Sequence, residues 1–140
     1  MKKLILTTLA IALLGVFAFA KGTDVPAPVK AKFASLYPTV KKAKWSKEEA
    51  NFEANFEVDE VETSVVFDAS GNVMETESEI KVSDLPKSVT DYCAKTWPGK
   101  KIGEAAKLVD GKGVVTYEAE ISGVDQIFDA NGTFLRSHKE

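Results

Sequence analysis

Phe67-Asp68-Ala69-Ser70-Gly71-Asn72 returns 61 residues later as Phe128-Asp129-Ala130-Asn131-Gly132-Thr133, and this repetition limits the fold more than any other feature of the chain. Five positions are chemically interchangeable between the copies: an aromatic, an Asp, an Ala, a small polar residue and a Gly. Asp at the first turn position and Gly at the fourth suit a type I turn followed by a left-handed residue, which closes a β-hairpin. Only Gly adopts that left-handed conformation at little cost. Each phrase therefore reads as a strand end, a tight turn and the start of the next strand.

The match extends beyond the turn. Thr23-Asp24-Val25-Pro26 pairs with Ser83-Asp84-Leu85-Pro86 at an offset of 60, as do Val29 with Val89, Phe33-Ala34 with Cys93-Ala94 and Tyr37-Pro38 with Trp97-Pro98. Phe52-Glu53-Ala54 pairs with Tyr117-Glu118-Ala119 at 65. The change of offset places an insertion before the second strand of the later copy and a deletion after it, in hairpin loops where length is tolerated. The chain reads as two copies of one unit, over about residues 24–80 and 84–137.

Each unit opens with a helix. Pro26 and Pro86 suit a first helical turn, with Asp24 and Asp84 placed to cap it. Val29, Phe33 and Leu36 form an apolar stripe at helical spacing, matched by Leu85, Val89, Cys93 and Trp97. Pro38 and Pro98 stop the helices near Tyr37 and Trp97. Strands follow. Phe52, Ala54, Phe56 and Val58 alternate with Glu53, Asn55, Glu57 and Asp59, one face buried and one wet. Val61–Phe67 and Val73–Ile80 continue the pattern, the latter with Met74, Thr76, Ser78 and Ile80 opposite Glu75, Glu77 and Glu79. An earlier strand near Ala43–Glu48 includes Trp45, and four more run near Ile102–Val109, Val114–Ser122, Val124–Phe128 and Thr133–Arg136. Asp110-Gly111-Lys112-Gly113 supplies a turn. The fold class is α+β: two tandem helix-plus-four-stranded antiparallel sheet repeats, with the helices packed on one sheet face. One helix on four short strands is marginal by itself, so the units are expected to share a core or a sheet edge.

Residues 1–20 read as a cleavable signal peptide: Lys2 and Lys3, an apolar run from Leu4 to Phe17, and a small-x-small site at Ala18-Phe19-Ala20. The run is shorter than the roughly 20 residues a membrane span needs. Cleavage after Ala20 leaves one domain, residues 21–140, in the periplasm or secreted, with no membrane contact after cleavage. Without Lys2 and Lys3, 16 basic groups face 21 acidic ones, a net charge of −5. That balance disfavours nucleic acid and anionic membranes as partners. Cys93 is the only cysteine, so no disulfide can form within the chain.

The pairs Val25-Pro26 and Leu85-Pro86, Tyr37-Pro38 and Trp97-Pro98, together with Trp45, Asn51-Phe52-Glu53-Ala54 and the doubled Phe-Asp-Ala-x-Gly turn, resemble the PepSY-like family of exported bacterial proteins, also described as β-lactamase-inhibitor-like (BLIP-like). The resemblance implies an α+β fold with helices on one face of an antiparallel sheet, residence in the periplasm or at the surface, and a binding or inhibitory role. It brings no catalytic residue with it.

The residues themselves point the same way. His138 is the single histidine and stands near the C-terminus, so neither a catalytic triad nor a His-rich zinc site can be assembled. No Gly-rich phosphate loop precedes a helix, and Asp110-Gly111 lacks the downstream acidic spacing of a calcium loop. No enzyme activity, cofactor or metal is expected. Cys93 reads as a small buried hydrophobe, and Trp45, Tyr37 and Trp97 as core or helix-to-sheet contacts. What is left is a set of carboxylates on strand positions pointing away from the apolar face: Glu53, Glu57, Glu62, Glu75, Glu77, Glu79, Glu118 and Glu120. They either keep a sheet face soluble or form an acidic platform for a basic protein partner in the cell envelope. The functional expectation is an exported, non-enzymatic protein-binding module, with inhibition as one form. The alternatives are a structural or envelope-stress protein without a dedicated ligand, and a weak cation-binding acidic protein.

Overall fold

The computed structural model describes residues 23–139, and the signal segment proposed for residues 1–20 lies outside them. The element order is helix α1 (Ala27–Leu36), strands β1 (Lys44–Glu48), β2 (Asn51–Val58), β3 (Val61–Phe67) and β4 (Val73–Glu79), a 3-10 turn (Val82–Asp84), helix α2 (Lys87–Thr96), and strands β5 (Ile102–Asp110), β6 (Val115–Ile121), β7 (Asp125–Asp129) and β8 (Phe134–His138). All eight strands form one antiparallel meander in chain order. β4 pairs with β5 from Glu75 opposite Asp110 to Glu79 opposite Ala106, so the two halves share a sheet edge. Their cores stay separate. Val29 and Phe33 of α1 pack with Phe52, Ala54, Phe56, Val65 and Phe67. Val89 and Cys93 of α2 pack with Ala105, Ala119, Ile121 and Phe128. Strand registers carry both clusters onto the same sheet face through the row Val65, Thr76, Val109 and Val115.

The repeated phrase folds as its residues predict. Gly71 and Gly132 take φ of 86° and 81°, and their N–H groups donate to the carbonyls of Asp68 and Asp129 at 3.0 and 2.9 Å. Oδ1 of Asp68 accepts the N–H of Ser70 and of Asn72. Oδ1 of Asp129 accepts those of Asn131 and Thr133. Asp110 does the same with Lys112 and Val114, so the β5–β6 hairpin closes on the same turn. A Cβ on Gly71 would stand 2.8 Å from the carbonyl oxygen of Pro28 in α1, and one on Gly132 would run into Ser88 of α2. Each turn thus seats the N-terminal turn of a helix on the sheet.

Four expectations are corrected. Asp24 and Asp84 make no side-chain cap; Pro26 and Pro86 stand at the helix starts, and Asp84 belongs to the 3-10 turn. Leu36 is 43% exposed; Tyr37, just past the helix end, packs instead, against Phe33 and Phe56. Met74 is also 43% exposed. The β3–β4 register slips between Val66 and Phe67, which brings Val73 opposite Phe67 and into the core. A slip between Ile127 and Phe128 likewise turns Phe134 inward and leaves Leu135 outside. A bulge adds one residue to one strand and so reverses the alternation up to that point. Fourth, the face expected to be wet is partly buried, with Glu53, Glu77 and Glu118 out of solvent.

Candidate functional site

Residues directly opposite across strands share a face, so the registers map the side away from the helices. One row runs Ser46, Glu53, Val66, Glu75, Asp110 across β1 to β5. The next runs Lys44, Asn55, Ser64, Glu77, Leu108, Thr116, Asp129 from β1 to β7. Glu79, Ala106, Glu118, Ile127 and Arg136 form a third, and Glu120, Asp125 and His138 a fourth. Glu57 and Glu62 stand directly opposite each other, a like-charge pair that disfavours folding. All eight predicted glutamates fall on this face.

They are not all wet. Glu57 and Glu79 are exposed, and Glu62, Glu75 and Glu120 are half-buried. Glu53, Glu77 and Glu118 are buried, Glu53 to 3% exposure. Ser64, Val66, Ala106, Asp125 and Ile127 of the same face are buried as well. We attribute this burial to curvature of the sheet. Arg136 of β8 acts on the Glu75 carboxyl of β4, although four strand spacings of about 4.8 Å would set their backbones some 19 Å apart in a flat sheet. The sheet curls with this face on the inside.

Burial sets the electrostatics, and neighbouring like charge adds to it. Burial holds the Glu75 carboxyl above its ordinary 4.5; Arg136 opposes the rise, and Asp110 and Glu53 add to it. Burial, then Glu53 and Glu49, raise Glu48. Burial and Glu120 raise Asp125, against His138. Asp110 is held below the usual range by the N–H groups of Val114 and Lys112 and keeps its charge. Glu53 has one partner for two oxygens: Ser46 Oγ donates to Oε2 at 2.9 Å, while the buried Oε1 receives no hydrogen bond. His138 Nε2 is in the same condition.

Glu48, Asp110, Asp125 and Arg136 were not foreseen as members of this face. The signal was available in the alternation of β1, β5, β7 and β8, once the registers are known. Among the described residues no group of three or more His, Cys, Asp or Glu is arranged to hold a metal ion, and no helix is long and apolar enough to cross a membrane. Cys93 is buried and its thiol is pushed up by burial, which disfavours the reactive thiolate. Trp45 packs edge-on to Phe33 and Trp97 edge-on to Tyr92, as core contacts.

No family model and no curated protein matches the chain. Solved structures do. A chain from Bacteroides fragilis described as a BLIP-like protein superposes with a TM-score of 0.69 at 22% identity, over 83% of this chain and 87% of the other. The fold is BLIP-like. A DUF2874 family protein from Bacteroides uniformis gives 0.73 at 21% identity, over 81% and 88%. A chain from Bacteroides eggerthii described as periplasmic gives 0.76 at 16%, over 83% and 89%. These identities carry the BLIP-like architecture, one antiparallel sheet with two helices on it, and nothing about activity.

Proposed function

We propose that the protein is an exported, non-enzymatic binding module of the cell envelope that holds a basic protein partner against the inner face of its curled sheet. The observation that carries this reading is the gathering of all eight glutamates on the face that neither α1 nor α2 covers, with three of them buried. Burying carboxylates is costly unless something offsets it, and a face that serves only solubility has no reason to do so. Inhibition of an enzyme is one form such binding takes. The description of the Bacteroides fragilis neighbour as BLIP-like is in keeping with it, as is the PepSY-like pattern of the sequence. The basic start and apolar run of residues 1–20, and the periplasmic description of the Bacteroides eggerthii neighbour, support a cleaved signal peptide and a periplasmic location. We read the two halves as tandem copies of one unit: Asp68 and Asp129 make matching turn bonds, and matching register slips leave Met74 and Leu135 outside.

The test is crosslinked capture from the native envelope with wild type and with Glu57→Gln/Glu75→Gln/Glu79→Gln, variants at exposed or half-buried positions. One specific basic prey, lost with the triple variant and in high salt, supports the proposal. A prey held equally by both proteins refutes it.

A further inference from the structure

Ser46, Glu53, Val66, Glu75 and Asp110 form a row across five strands, with Glu53 and Glu75 each directly opposite Val66. Their backbones lie two strand spacings apart, about 9–10 Å, and inward curvature brings the side chains closer. Between them Val66 supplies a buried apolar floor. Glu53 is 3% exposed, and its Oε1 has no hydrogen-bond donor. That oxygen is an acceptor held out of water without a partner, next to a second carboxylate. Glu48 and Asp110 deepen the negative potential on either side, and Arg136 of β8 offsets part of it at Glu75.

We propose that this bracket of Glu53 and Glu75 over Val66 is a recognition pocket for one arginine side chain of the partner, an inference that rests on the binding function proposed above. The chemistry selects arginine in three steps. The pocket wants a cation with hydrogen-bond donors, because both of its walls are acceptors. It does not suit a bare metal ion, since among the described residues no three ligands converge. Arginine carries an apolar stem that lies along a floor such as Val66, and its planar guanidinium offers donors on more than one edge, one toward each carboxylate. A lysine ammonium is a compact point charge that serves one wall well and two poorly.

The experiment is an amide-resolved NMR titration of the purified protein at low salt. The probes are the blocked pentapeptides Gly-Ser-Arg-Ser-Gly, its lysine counterpart and its neutral citrulline counterpart, with octa-arginine as a probe of the whole face. The account expects the arginine peptide to move the amides of Ser46, Glu53, Val66 and Glu75, with the lysine peptide weaker and the citrulline peptide silent. Glu53→Gln keeps the acceptor for Ser46, and Glu75→Gln is a half-buried site, so both variants should give folded spectra. Each is expected to weaken the arginine peptide at least tenfold. The pocket is overturned if citrulline gives the same shifts, if lysine binds as tightly as arginine, or if neither variant weakens binding. Octa-arginine that binds wild type and Glu53→Gln alike, while the arginine pentapeptide leaves Val66 unmoved, overturns the pocket and leaves the acidic face standing. Failure of both arginine probes removes the pocket and the basic-partner reading together.

Discussion

Glu75 of β4 lies within electrostatic reach of Arg136 of β8, with three strands between them in the sheet. Each residue stands two places after the one that its register slip turns inward, Val73 and Phe134 respectively. Curvature of the sheet brings them toward each other and gathers the carboxylates of the helix-free face around a common interior. Burial on that face raises the Glu75 carboxyl, whereas hydrogen bonds within the turns lower the aspartates that close them.

Asp68, Asp110 and Asp129 are held below their ordinary 3.8: Asp68 chiefly by the Asn72 side chain, Asp110 by the N–H of Val114 and Asp129 by that of Thr133. Stability from a lowered carboxyl is present above pH 3.8 and is lost as pH falls through the folded value. Glu75 has the opposite sign. Its folded pKa lies above 4.5, so it costs stability increasingly as pH rises from 4.5 through the folded value. Glu75→Gln should therefore raise the melting temperature at pH 7, by less than about 1 kcal/mol of stability given partial exposure to water, and leave it unchanged at pH 3. Asp68→Ala should lower it at pH 7, with the gap narrowing toward pH 2. Thermal melts by circular dichroism across this range check both signs.

Gly71 and Gly132 each combine a left-handed backbone with close contact to a helix. A side chain in that conformation costs roughly 1–2 kcal/mol, and displacement of α1 or α2 adds to it. Gly71→Ala and Gly132→Ala should each destabilise the protein by more than about 1 kcal/mol in urea denaturation. Gly99→Ala, left-handed but with open space around it, should cost less than either.

Phe67 and Phe128 are fully buried, one in each core. Truncating either to Ala should cost about 3–5 kcal/mol. Leu36→Ala and Met74→Ala should cost well under that, since both residues are 43% exposed. Equal losses at Leu36 and Phe67 would contradict the assignment of the core.

Local signals read correctly: the Phe-Asp-Ala-x-Gly turns, the helix stops before Pro38 and Pro98, and the alternation in β2 all depend on neighbours within a few residues. The absent Asp24 and Asp84 caps are a local misreading, since Pro26 and Pro86 take the cap positions; the others arise where a local pattern meets a long-range one. Alternation alone puts Met74 inward because it assumes no bulge, and the bulge is defined only by pairing with β3. Leu36 fits the helical stripe, but the aromatic cluster of Phe33, Trp45 and Phe56 takes Tyr37 instead. Glu53, Glu77 and Glu118 were assigned to the correct face and the wrong environment. Period-two patterning tells which side a residue faces, while curvature of the whole sheet decides whether that side is open. Asp110 reads correctly as a turn residue, and its place on the acidic face emerges only from its pairing with Glu75.

The account depends on the inner sheet face being the place where a partner sits. The most direct measurement is crosslinked capture from the native envelope by wild type and by the Glu57→Gln/Glu75→Gln/Glu79→Gln variant, at low and high salt. Wild type should retain one basic prey at low salt, and either the variant or high salt should release it. A prey that the variant retains as strongly as wild type, with crosslinks mapping to α1 or α2, would contradict it.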